Sequence, residues 1–139
     1  MSIPLGVRLN NPGNLRPDVH PWRGQSGVSG GFCQFATPAE GALALCKNLL
    51  AYSDKDDLIT IRQFINRWAP PDDNNDTARY IADVSKQTGV DADAAYDLHS
   101  NAQLAMLAKA ITCHEQGYNP YSDELFEAAA TEALAARSA

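Results

Sequence analysis

From Thr37 onward, apolar residues recur at three- and four-residue steps between capping signals, which commits most of the chain to amphipathic helices. Thr37-Pro38-Ala39-Glu40 supplies an N-cap, a proline at the first helical position and a capping-box glutamate. It predicts a helix over 37–52 with Ala42, Leu43, Cys46, Leu49 and Leu50 inward. Thr60 opens a second helix carrying Ile61, Phe64, Ile65 and Trp68, read as core, and Pro70-Pro71 stops it. A third helix is expected over 77–88, closed by Gly89, and a short fourth over 91–98. Ser100 or Asn101 caps the next, and a last amphipathic helix over 122–136 places Leu125, Phe126, Ala129, Ala133 and Leu134 on one side, its Ala-rich end free to fray or to dock on a partner.

Residues 4–36 differ. They are rich in Gly, Pro, Asn and Ser and carry little helical periodicity, so they read as loop with at most a short β-hairpin, forming a cleft wall. A length of 139 residues suits one domain: loop-rich wall 1–36, helical core 37–121 and C-terminal helix 122–139. The expected fold class is mainly α.

Charge narrows the function classes. Eleven Lys and Arg against 17 Asp and Glu give a net charge of −6, and no basic tract offers a nucleic-acid surface. No apolar run is long enough for a membrane span, and the start of the chain lacks the charged and apolar regions of a secretory signal, so a soluble protein without Sec export is expected. Cys33, Cys46 and Cys113 cannot all pair with one another and lack metal-ligand spacing, so reduced, buried thiols are expected. The run from Asp72 to Asp76 has neither the glycine nor the terminal glutamate of a calcium hand. His114-Glu115 lacks the second histidine that a zinc protease needs four residues on, since Tyr118 stands there. No cofactor or metal is implied.

The helix after Ser100 carries the chemistry. Its stripe of Leu104, Leu107, Ala108 and Ile111, continued by one turn, reaches Glu115, which should face inward. Burial and the negative end of the helix dipole both favour a protonated carboxyl, the form a glycosidase uses as general acid. The plainer reading is a glutamate that closes the last turn, with Gly117 as C-terminal cap.

The string Glu115-Gln116-Gly117-Tyr118-Asn119-Pro120 resembles the end of the catalytic helix in the lysozyme-like superfamily, particularly lytic transglycosylases and cell-wall glucosaminidases. Gly31-Phe32-Cys33-Gln34-Phe35 is similar to that superfamily's Gln-containing turn, and Arg79-Tyr80-Ile81-Ala82-Asp83-Val84 to the helix whose Tyr lines the cleft. Asn11-Pro12-Gly13-Asn14-Leu15-Arg16 and Trp22-Arg23-Gly24 resemble the post-catalytic loop and small phage-encoded proteins with a Pro-Gly-Asn motif. The order is rotated, so the resemblance, covering most of residues 6–124, implies a circular permutation in which the catalytic helix closes the domain.

The resemblance implies cleavage of the β-1,4 bond between N-acetylmuramic acid and N-acetylglucosamine in peptidoglycan, with Glu115 as general acid and base. It assigns Tyr80 and Gln34 to the catalytic cleft and suggests substrate contacts for Asn11, Asn14, Trp22, Phe35 and Tyr118. On their own chemistry Asn11 and Asn14 shape turns, and Gln34 is equally a satisfied polar group. Hydrolysis needs a second carboxylate, for which loop residue Asp18 is available, whereas intramolecular attack by the muramoyl hydroxyl needs none. The expected setting is a phage virion, or the host cytoplasm before assembly or release, with peptidoglycan and other virion or tail proteins as partners. The competing class is an inactive lysozyme-like virion protein that binds glycan or tail proteins.

Overall fold

A computed structural model of the chain describes residues 2–138, the side chain of Ser138 excepted; the two ends of the expected 1–139 domain, residues 1 and 139, lie outside the described residues. The element order is α1 (Leu5–Arg8), β1 (Gln25–Ser29), β2 (Phe32–Phe35), α2 (Pro38–Asp56), α3 (Ile61–Trp68), a 3-10 turn (Pro71–Asp73), α4 (Thr77–Thr88), α5 (Asn101–Gln116) and α6 (Asp123–Ser138). The fold is mainly α with one small antiparallel hairpin, as the helical periodicity requires.

Local signals set the helix ends. Thr37 accepts the Glu40 amide at the start of α2, Thr60 and Gln63 form a reciprocal capping box on α3, and the Asp76 and Ser100 side chains cap α4 and α5. Gly89 and Gly117 end α4 and α5 in the left-handed conformation, at φ 71° and 81°. Glu40 departs from its expected capping role: its carboxylate lies against Gly24, with Oε2 buried and without a hydrogen-bond partner.

Three further expectations change. α1 adds a helical turn to a stretch read as loop, its Leu9 amide closing onto the Leu5 carbonyl. No helix forms over 91–98, because the backbone there bonds to the neighbouring segment: the Tyr96 amide donates to the Ile59 carbonyl at 2.7 Å, and the Arg62 amide to the Ala92 carbonyl at 3.0 Å. A bridge between Thr60 and Ala95 and the burial of Tyr96 and Leu98 make this segment an extended strap over the core. The last helix is no free docking arm. Phe126, Ala129, Ala130 and Ala133 are buried, and α6 packs along α2 and α5.

The main core joins α2 to α6 around residues such as Leu45, Leu49, Phe64, Leu107 and Ile111. A smaller cluster of Leu15, Cys33, Phe35 and Ala44, with Trp22 and Trp68 against it, fastens the hairpin and loop wall to α2. All three cysteines are free; Cys33 and Cys46 are buried and Cys113 half-buried. Burial pushes the Cys46 thiol up to about 12, which keeps it protonated and inert. No helix among the described residues is long and apolar enough to cross a membrane.

Candidate active site

The last turn of α5 delivers Glu115 to the floor of an open groove of about 710 Å³. One wall is the N-terminal loop and hairpin, contributing Asn14, Arg16, Asp18, Trp22 and Phe32. The other is built by Asn48 and Tyr52 of α2, Trp68 of α3 and the Asp72–Asn75 turn. Trp68, read as core, is half-buried and forms part of this wall, edge-on to Tyr52 at 6.3 Å between ring centres.

Both carboxylate oxygens of Glu115 are held. The Tyr80 hydroxyl donates to Oε2 at 2.7 Å, and the Asn14 side-chain amide donates to Oε1 at 3.0 Å. Burial, the nearby Glu115 charge and this hydrogen bond push the Tyr80 phenol well above its ordinary range, so it remains a donor at neutral pH. Tyr80 is itself fixed from behind by His114, whose ring stacks on it at 3.6 Å and 23°. His114 Nδ1 lies 2.8 Å from the Asp83 carboxylate, one turn along α4 from Tyr80.

Asn14 is fixed in turn by Gln116, which follows Glu115 in the chain. The Gln116 side-chain amide donates to Asn14 Oδ1 at 2.9 Å and to the Pro12 and Asn11 carbonyls at 3.0 and 3.2 Å. Asn14 adopts φ 52°, the left-handed conformation that asparagine tolerates better than most residues, and this turns its amide toward α5. The end of α5 is thereby stitched to a loop more than a hundred positions earlier in the sequence.

The residues expected at the site separate into two groups. Glu115, Asn14, Trp22 and Asp18 line the groove, and Tyr80, buried in the core behind it, touches the site through its hydrogen bond to Glu115. Gln34 does not: strand alternation turns Cys33 and Phe35 inward and leaves Gln34 exposed on the outer face of β2. Phe35 is 1 % exposed and belongs to the small core cluster, so it cannot contact a substrate. Asn11 is fully buried; its side chain donates to the Leu15 and Cys33 carbonyls and accepts the Leu15 amide, a turn-shaping role. Tyr118 is exposed past the helix cap and does not line the groove. Gln116, Arg16, Phe32, Asn48 and Tyr52 were not singled out as site residues, although Gln116, Arg16 and Phe32 stand inside motifs that carry the resemblance.

The arrangement offers one carboxyl group with a donor on each oxygen, in an open cleft walled by aromatic and amide side chains. Such a group can hand a proton to a leaving oxygen and take one back.

No protein-family model matches the chain. It is similar to Protein P5 of Pseudoalteromonas phage PM2, with 33 % identity over 126 residues that span 86 % of this chain and 76 % of that protein. At that identity and coverage, the chain belongs to the family of the phage PM2 Protein P5.

Proposed function

We propose that the protein is a lysozyme-like, phage-encoded enzyme that opens peptidoglycan locally by cleaving the β-1,4 bond between N-acetylmuramic acid and N-acetylglucosamine. The observation that carries this reading is the Glu115 carboxyl held between Tyr80 and Asn14 at the floor of an open groove. Glu115 donates its proton to the glycosidic oxygen as the bond breaks, and the groove's polar groups stabilise the oxocarbenium-like transition state. The carboxylate then accepts a proton from the attacking hydroxyl, either water or the muramoyl hydroxyl.

The close packing of Gln116 against the 11–14 loop supports a permuted lysozyme-like domain. A segment that would follow the catalytic helix in unpermuted order sits beside its end, although it lies at the other end of the chain. The phage source of the relative supports a setting in a phage particle, with peptidoglycan and other virion proteins as partners. Asp18, Asp72 and Asp73 also line the groove, and none of them hydrogen-bonds to Glu115. Intramolecular attack by the muramoyl hydroxyl needs no second carboxylate, whereas hydrolysis would use one of these three at a separation of about 5–9.5 Å from Glu115.

Mass spectrometry of products from purified peptidoglycan, treated with wild type and Glu115→Gln, tests the reading. Anhydro-muropeptides from wild type alone are expected. Reducing-end products would indicate a hydrolase and point to Asp18, Asp72 or Asp73 as its second carboxylate. Absence of cleavage by folded, concentrated wild type would overturn the enzymatic reading in favour of a glycan-binding or structural virion role.

A further inference from the structure

The groove carries carboxylates from Asp18, Asp72, Asp73 and Glu115, and among its described lining residues a single cation, Arg16. Arg23, Arg62, Arg67 and Arg137 each pair with a carboxylate elsewhere on the molecule. Arg16 has no such pairing among the described residues, even with Asp18 two positions on. Asp18 instead turns back to accept the Val19 amide at 2.7 Å. The Arg16 guanidinium lies 4.9 Å from the centre of the Phe32 ring, beside the hairpin turn at Gly31. This contact places the guanidinium over the ring, and the side chain is exposed, with its N–H groups open to a ligand.

Arg16 also stands two residues from Asn14, the residue that holds Glu115, which limits the backbone separation to about 7 Å. A group bound at Arg16 therefore belongs to the part of a bound glycan close to the bond being broken. An unpaired guanidinium in an otherwise acidic cleft favours a planar anion that can take two parallel hydrogen bonds. Of the two sugars in peptidoglycan, only the muramoyl residue carries such a group. It is the lactyl carboxylate when the strand is free of peptide, or a carboxylate of the stem peptide when it is substituted.

We propose that Arg16 is a specificity residue that binds a carboxylate borne by the muramoyl residue, and so distinguishes peptidoglycan from a neutral N-acetylglucosamine polymer. The proposal rests on the peptidoglycan reading of the groove, but it concerns recognition rather than cleavage.

The test is calorimetric binding by Glu115→Gln protein to three soluble tetrasaccharides. These are chitotetraose, a peptide-free strand of alternating N-acetylglucosamine and N-acetylmuramic acid, and the same strand bearing stem peptides. At least one anionic saccharide is expected to bind about tenfold more tightly than chitotetraose, the scale of one charge-assisted hydrogen-bonded contact in a solvated cleft. Adding Arg16→Gln should collapse that affinity ratio toward one, and Arg16→Lys should restore only part of it. Preference for the peptide-free strand identifies the lactyl carboxylate as the ligand; preference for the substituted strand alone identifies the stem peptide.

An affinity ratio near one with Arg16 present, or a ratio that survives Arg16→Gln in a protein with unchanged circular dichroism, overturns the proposal. If wild type nevertheless cleaves peptidoglycan, the function stands and the Arg16 assignment alone fails. Arg16-dependent discrimination without cleavage by wild type supports this assignment while overturning the catalytic reading. Failure to bind any of the three saccharides, together with failure to cleave, overturns both.

Discussion

The Tyr80 hydroxyl on α4 meets the Glu115 carboxylate on α5 at 2.7 Å, joining two helices at the point where Glu115 enters the groove. Tyr80 is 2 % exposed, and the ring of His114 covers its face, so its hydroxyl has little freedom to point elsewhere. A Phe in its place keeps the ring and its packing but removes the hydroxyl that donates to Oε2: on the proposed mechanism the expected result is a misaimed acid in an intact fold.

Tyr80→Phe should therefore reduce kcat by on the order of 100-fold with KM little changed, the size of effect seen when one preorganised donor is removed from a catalytic site. Thermal stability should fall by no more than about 1–2 kcal/mol, the range for one lost hydrogen bond with a buried partner. Steady-state turnover of peptidoglycan and a denaturant melt measure the two quantities. A variant with wild-type kcat would remove Tyr80 from the mechanism.

Gly6 tests the other side of the carboxylate. A Cβ there would fall 2.1 Å from Asn14 Oδ1 and 2.3 Å from Gln116 Nε2, well inside contact distance. Gly6→Ala must push apart the two amides that fix Asn14 against Glu115. Overpacking of this kind costs about 1–3 kcal/mol. Activity should fall much further than that loss of stability alone would reduce the folded population, because the displaced groups position the acid. Comparing activity per folded molecule with Gly6→Ala and with an equally destabilising core variant such as Ile65→Val separates the two effects.

How much of this was legible in the sequence follows from the range of each interaction. The caps at Thr37, Thr60, Asp76 and Ser100 bond within three residues, so α2 to α5 could be read locally. The apolar stripe also placed Glu115 on the inward side of α5, where it is half-buried, since helical periodicity depends only on neighbours one turn away. Residues 91–98 misled because Ala92, Ala94 and Ala95 behind Asp91, a residue type that caps helices, favour helix locally, while backbone groups of Ala92 and Tyr96 are used by Arg62 and Ile59. Gln34 and Phe35 were misplaced for a different reason. A turn motif was carried over by resemblance, whereas in β2 the two-residue alternation sends Gln34 out to solvent and Phe35 into the core. Asn14 read as a turn-former or, by resemblance, a substrate contact; that its amide crosses to Glu115 depends on how α5 packs on the loop, which no local pattern encodes.

The packing of α6 gives a prediction independent of function. Phe126 is 1 % exposed and lies edge-on to Tyr121 with 6.1 Å between ring centres, in the core shared with α2 and α5. Phe126→Ala should destabilise the protein by about 3–5 kcal/mol, the usual range for truncating a buried aromatic. If α6 were an independent arm awaiting a partner, a melt would show a loss below about 1 kcal/mol, within the ordinary range for surface substitutions.

Asp54 ties the end of α2 to the end of α6 and should make that junction sensitive to acid. Its carboxylate takes the Arg137 guanidinium at 2.5 and 3.1 Å and faces His99 Nε2 at 3.0 Å. The Arg137 hydrogen bond is the main cause of an Asp54 pKa held below the usual carboxylate range; partial burial opposes it, and the His99 hydrogen bond adds to the lowering. Because the folded-state value lies below the unfolded one, the stabilisation is fully present above the unfolded value of about 3.9 and is lost as pH falls through the folded value. Side-chain exposures of 35 % for Asp54 and 44 % for Arg137 leave the pair well screened, so its contribution should not exceed about 1 kcal/mol. Denaturant melts of wild type and Asp54→Asn should differ by that amount at pH 6 and converge once the pH has fallen through the depressed folded-state value. Added salt of about 1 M should shrink the difference at pH 6, since the Debye length there is only about 3 Å. A stability difference that persists unchanged into acid would assign the effect of the substitution to packing rather than to the ion pair.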